Sequence, residues 1–244
     1  MNTLWTFGDS AMEQNSSLVP GAPSHRSWVE ILAEKLNMNL VNKSWGSSAL
    51  EYSYYHYREQ LPNFKPGDVV LFGVTMLNRK WLYENRPNLS HLEFVKSRKY
   101  VSDEHKDWFK MYYDDFQRED VEVHMLEAFL DSLVLNQVQK EINIVAFFTE
   151  NSTELKVKIP EQLNGSISCM YEASMNEIHE GAPAFEEAFR KIGHGGKTET
   201  RKNHFSEPNH TVLADKFYDA IQTGNPIDFT QGFHNSLLGI KELL

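Results

Sequence analysis

Residues Glu141–Phe148, E-I-N-I-V-A-F-F, form a nearly continuous apolar run. A strand with one wet face alternates apolar and polar residues, whereas an unbroken run is a strand covered on both faces. Such strands belong to parallel sheets layered between helices. Two further runs behave alike: Leu4–Phe7 stops at Gly8 and Val69–Phe72 stops at Gly73. A shorter candidate covers Met38–Val41.

Helical spacing fills the intervals. Trp28, Ile31, Leu32 and Leu36 fall on one face of Ser24–Asn37, with Ser24 or Ser27 as cap. Val121–Lys140 carries Met125, Leu126, Phe129, Leu133 and Val134 at helical intervals. Ser206–Gln222 carries Leu213, Phe217 and Ile221, and Gly224 is its stop. Alternating strands and helices predict an α/β fold with a doubly wound, mainly parallel sheet. The 244 residues suffice for one domain, 1–244, with a substantial core.

Some segments fit less simply. The stretch from about 80 to 120 is longer than a crossover needs and rich in aromatics, including Trp81, Trp108 and Phe116. It is an insertion that either covers a site or, the more economical reading, builds its own small core or a dimer contact. Glu51–Gln60 carries four tyrosines whose helical spacing sends some into the core. Leu155–Ile159 is a short strand candidate and Ala184–Ile192 a short helix; Ser166–Gly181 has no clear pattern.

The net charge of −10 argues against nucleic acid and anionic membranes as partners. The single cysteine, Cys169, excludes an internal disulfide and suits a reducing compartment. The N-terminus shows no charged-then-apolar leader pattern, so a cytoplasmic location is expected. No apolar run approaches membrane-spanning length. The N-x-S/T sequons, Asn15 and Asn151 among them, are then chance occurrences. Gly193–Thr198 approaches a phosphate-loop pattern, but Lys191 occupies the place of its first glycine and no strand precedes it. No G-x-S-x-G elbow, H-E-x-x-H or paired C-x-x-C occurs, so no metal or cofactor is expected.

Ser10 follows Gly8-Asp9 just beyond the first strand, where open α/β sheets place their ligands. A serine there is a nucleophile if a base reaches it, and an ordinary turn residue if none does. Asp9 suits side-chain bonds to the turn backbone. Gly46, in N-K-S-W-G-S-S, either points an N–H at a ligand or eases a strand-to-helix turn. Late in the chain, His204-Phe-Ser-Glu-Pro-Asn-His210 enters the final helix.

The F-G-D-S strand end together with the late H-F-S-E-x-x-H resembles the SGNH (GDSL-like) hydrolases, through four short blocks. The resemblance implies a three-layer α/β/α, flavodoxin-like fold and a metal-independent serine esterase without cofactor. It implies Ser10 as nucleophile, His204 rather than His210 as base, and the N–H groups of Ser10 and Gly46 as oxyanion donors. The family's third block usually supplies an asparagine donor two residues after its glycine. Thr75 stands there, so its hydroxyl or Asn78 takes that part. The usual acid precedes the histidine by two or three residues, where this chain has Lys202 and Arg201. Neither accepts a hydrogen bond, which leaves Glu199, Glu207 or a Ser–His dyad. The implied partner is a small acyl ester, including acetyl on a carbohydrate. A binding module that lost turnover, or an acyltransferase, stands as the alternative.

Overall fold

In the computed structural model the described residues are 1–12, 26–46, 48–75, 77, 81, 103–111, 119–149, 157–163, 165–166, 168–170, 205 and 207–234. The strands are β1 (Thr3–Phe7), β2 (Asn39–Asn42), β3 (Val69–Val74) and β4 (Asn143–Phe148). The helices are α1 (Trp28–Leu36), α2 (Leu50–Gln60), α3 (Asp103–Met111), α4 (Glu119–Lys140) and α5 (Glu207–Thr223). All strand pairs are parallel, in the order β2-β1-β3-β4. That is the flavodoxin-like order, with its switch point between β1 and β3.

The period of two along each strand sorts its side chains between two cores. Leu4, Val69, Leu71, Val145 and Phe147 face α1 and α5, where they meet Trp28, Leu32, Leu213 and Phe217. Trp28 and Phe217 stack with ring centroids 4.4 Å apart. Trp5, Phe7, Val70, Phe72, Ile144 and Phe148 face α2 and α4, where they meet Tyr57, Leu126, Phe129 and Leu133. The sheet is therefore the middle of three layers. Both outer layers are needed because neither face of these strands carries a polar row.

Several boundaries differ from the sequence reading. The first helix begins at Trp28, because Ser27 and Glu30 form a reciprocal capping box. β2 lies one residue later than Met38–Val41. β4 starts at Asn143 because Glu141 adopts a left-handed conformation, φ 54°, that closes α4. β3 passes through Gly73 and ends at Val74. Met125, read with the buried face of α4, is 65% exposed, whereas Leu126, Leu130 and Leu133 are buried. Residues 157–160 form no strand, and a short 3-10 turn, Glu161–Leu163, follows them. The insertion contributes α3; most of the remainder of 80–120, like Ala184–Ile192, lies outside the described residues. Among the described residues no helix is long and apolar enough to cross a membrane.

At the amino end of the sheet Asp68, 2% exposed, gathers three donors. Thr3 N–H reaches Oδ1 at 2.8 Å, and Trp5 Nε1 and Lys65 N–H reach Oδ2 at 3.0 Å each. In the second core Asn136 donates to the Tyr57 hydroxyl oxygen at 3.0 Å. Burial raises that hydroxyl from 10.0 to about 12. The unfolded tyrosine loses its proton first, so the stability Tyr57 contributes is complete below pH 10 and falls as pH rises toward 12. The expected loss is about 3 kcal/mol across that window. Urea midpoints at pH 9 and pH 12 should therefore fall further for the wild type than for Tyr57→Phe; parallel losses would contradict this.

Candidate active site

Four backbone segments meet at the carboxyl end of the sheet: the turn after β1, the loop after β2, and the ends of β3 and β4. Three of them are joined by Asp9, 1% exposed. Its Oδ1 accepts Ala11 N–H at 3.0 Å, a turn of the kind aspartate makes with the second residue beyond it. Its Oδ2 accepts the Thr75 hydroxyl at 3.0 Å and the Thr149 hydroxyl at 3.1 Å. The Val74 carbonyl, 3.3 Å from Thr149 Oγ1, is an alternative acceptor. One carboxylate thus joins the ends of β1, β3 and β4.

The turn itself is closed by Met12 N–H donating to the Asp9 carbonyl at 3.1 Å, which leaves Ser10 at its first central position. Trp28 Nε1 holds the Ala11 carbonyl at 2.7 Å, and Asn42 Nδ2 holds that of Met12 at 2.7 Å. The Gly8 carbonyl accepts Trp45 N–H at 3.1 Å and the Ser48 hydroxyl at 2.9 Å. Those two bonds bring the loop containing Gly46 against the serine turn. Met12, fully buried, packs its sulfur against Gly8 and Gly73. A Cβ at Gly73 would lie 2.6 Å from Met12 Sδ and 2.8 Å from Thr149 Cγ2, so only glycine fits the strand there.

Against this framework Ser10 is half-buried, and its hydroxyl and N–H make no hydrogen bond among the described residues. The same holds for the Gly46 N–H. The Thr75 hydroxyl, read from the sequence as one of two candidates for the third oxyanion donor beside Asn78, donates to Asp9 Oδ2 in this structure. His210 is 7% exposed and accepts Trp28 N–H through Nδ1 at 3.1 Å. It therefore satisfies an open amide at the start of α1. His204, Asn78 and Glu199 lie outside the described residues, as does the side chain of Glu207, the first residue of α5. Phe205, next to His204 in sequence, is buried in the same core as Met12.

Thr149, Ser48 and Met12 escaped the sequence reading. Thr149 is the one with a signal: a threonine directly after a buried strand, as Thr75 also is. This is a flavodoxin-like sheet with a Gly-Asp-Ser turn at its switch point.

No protein-family model matches the chain, and no curated protein matches it. Among solved structures the chain is similar to a protein from Parabacteroides merdae ATCC 43184, provisionally described as a GDSL-like lipase. Identity is 11%, over 91% of this chain and 95% of that one, with a TM-score of 0.41. At that score the likeness stands as an observation alone; the fold rests on the strand order and the two cores described above.

The clasp around Asp9 carries a stability prediction. Asp9→Ala strands two buried hydroxyls and an amide, and should cost about 3–5 kcal/mol. Asp9→Asn keeps an acceptor oxygen and should cost about 1–2 kcal/mol. Urea denaturation measures both; an Asp9→Ala protein within about 1 kcal/mol of wild type would show that the clasp contributes little.

Proposed function

We propose that the chain is a serine ester hydrolase with Ser10 as nucleophile. The observation that supports this most is the contrast at the switch point. The groups around the serine turn are tied by hydrogen bonds, while the Ser10 hydroxyl and N–H are not. A rigid turn that leaves one hydroxyl uncommitted suits a nucleophile that must meet a carbonyl in fixed geometry.

In the proposed reaction Ser10 Oγ attacks the ester carbonyl carbon and His204 takes its proton. The tetrahedral oxyanion is held by the N–H groups of Ser10 and Gly46, with Asn78 as a third donor. Collapse expels the alcohol, which receives the proton from His204. Water, deprotonated by His204, then attacks the acyl-enzyme, and the carboxylic acid leaves as Ser10 regains its proton. His204 as base is supported by its sequence neighbour Phe205, which is buried in the core that Met12 shares. The binding role of His210 at α1 supports the same choice. Glu199 and Glu207 remain the proposed orienting acids. Acetyl on a carbohydrate comes from the family resemblance alone.

A second reading, a binding module on the same fold, is favoured by one observation: Arg201 and Lys202 stand where the family carries its acid. An acyltransferase would share the acyl-enzyme and differ only in its acceptor.

The test is hydrolysis of p-nitrophenyl esters, with a fluorophosphonate label located by mass spectrometry. Ser10→Ala and His204→Ala should each lower kcat by about 10⁴-fold or more, and the label should sit on Ser10. Wild-type turnover that survives Ser10→Ala would remove the serine from the mechanism. Absence of both turnover and label would favour the binding module.

A further inference from the structure

We propose that the cavity between the N-terminal halves of α2 and α4 is the acyl-chain site of this enzyme, and that it takes a medium-length chain of roughly eight carbons. The proposal rests on the reading of Ser10 as nucleophile and specifies the acyl half of its substrate.

The cavity measures about 340 Å³. Its wall includes Leu50, Tyr54, Leu77, Leu126 and Phe129. This is an apolar lining, and the volume lies at the lower end of the range of about 300–1,000 Å³ typical of small-molecule sites. An acetyl group would leave most of it unfilled, and the lining would lose its dispersion contacts. A hydrocarbon chain fills it.

The cavity's place in the fold connects it to Ser10 by two short routes. Leu50 is two residues after Ser48, whose hydroxyl holds the Gly8 carbonyl at 2.9 Å. Leu77 is two residues after Thr75, whose hydroxyl holds Asp9 at 3.0 Å. Each two-residue link spans at most about 7 Å. Both walls are therefore tied to the residues immediately preceding Ser10, and the cavity lies at the same end of the sheet.

Glu51 and Glu122 also line the cavity, each within the first four residues of its helix.

Chain-length profiles test this. Each methylene buried raises affinity by roughly fourfold, so wild-type kcat/KM for p-nitrophenyl octanoate should exceed that for the acetate by at least about tenfold. Ala128→Phe introduces bulk at the cavity wall and should lower the octanoate-to-acetate ratio at least about tenfold. Tyr54→Ala enlarges the cavity and should raise the dodecanoate-to-octanoate ratio. A wild-type preference for acetate, or ratios unmoved by both substitutions, would overturn the assignment. If no ester is hydrolysed and Ser10 is not labelled, the nucleophile reading fails on its own. Octanamide binding followed by NMR then judges the cavity: binding weakened at least about tenfold by Ala128→Phe retains it as the chain site, and absent or unaffected binding overturns it.

Discussion

The carboxylate of Asp9 is the constraint on which the functional end of this molecule depends. Parallel strands bury their carboxyl ends beneath the loops that leave them, and those loops diverge. Something must hold them in register where the ladder stops. Here the task falls to one buried side chain that receives the Thr75 and Thr149 hydroxyls and the Ala11 N–H. Burying a carboxylate is costly unless donors replace its water. Once they do, the charge-assisted bonds are stronger than neutral ones and fix direction as well as distance. Asp68 does the corresponding work at the amino end, joining β1 to the turn before β3. The central pair of strands is thus pinned by an aspartate at each end.

The consequence for chemistry is a division of labour within Gly8-Asp9-Ser10. Gly8 offers its carbonyl to the β2 loop, Asp9 its carboxylate to β3 and β4, and Ser10 is left uncommitted among the described residues. The clasp also has a cost. By taking the Thr75 hydroxyl it removes one side-chain donor from the face where an oxyanion would form. A hydrolytic site built on this turn would then rely chiefly on backbone N–H groups, which need no reorganisation during reaction.

The layers were legible in the sequence because they follow from periodicity. Unbroken runs such as Ile144–Phe148 permit only a strand covered on both sides. What periodicity misses is long-range pairing. Thr75 and Thr149 are both strand-end threonines, yet nothing local shows that they share one acceptor supplied by Asp9. Gly73 was misread for a related reason. A glycine after an apolar run signals a turn when backbone freedom is at issue, but here the missing Cβ admits Met12 and Thr149, and the strand continues. Glu141 shows the converse: a non-glycine residue accepts the left-handed cap because β4 must start at once. Of the candidate site, the Gly-Asp-Ser turn was readable from its place after a buried strand. The part assigned to Thr75 was not, because it depends on which way a hydroxyl proton points.

Met125 links the packing of α4 to the outer part of the site. A helix serving only as a cover would turn its apolar residues inward. α4 does so with Leu126, Leu130 and Leu133, yet it leaves Met125 exposed. Met125 and Ala128 line the cavity that Leu126 and Phe129 close from within. The exposed residue at that point is the wall of a recess rather than an error of patterning, since an apolar recess requires apolar residues on its outer side as well. Among the described residues the N-terminal parts of α2 and α4 border this recess at the sheet end where Ser10 lies, while in the opposite core Trp28 stacks on Phe217. Among the described residues the two layers therefore differ: a stacked pair of rings on one face of the sheet, an apolar recess on the other.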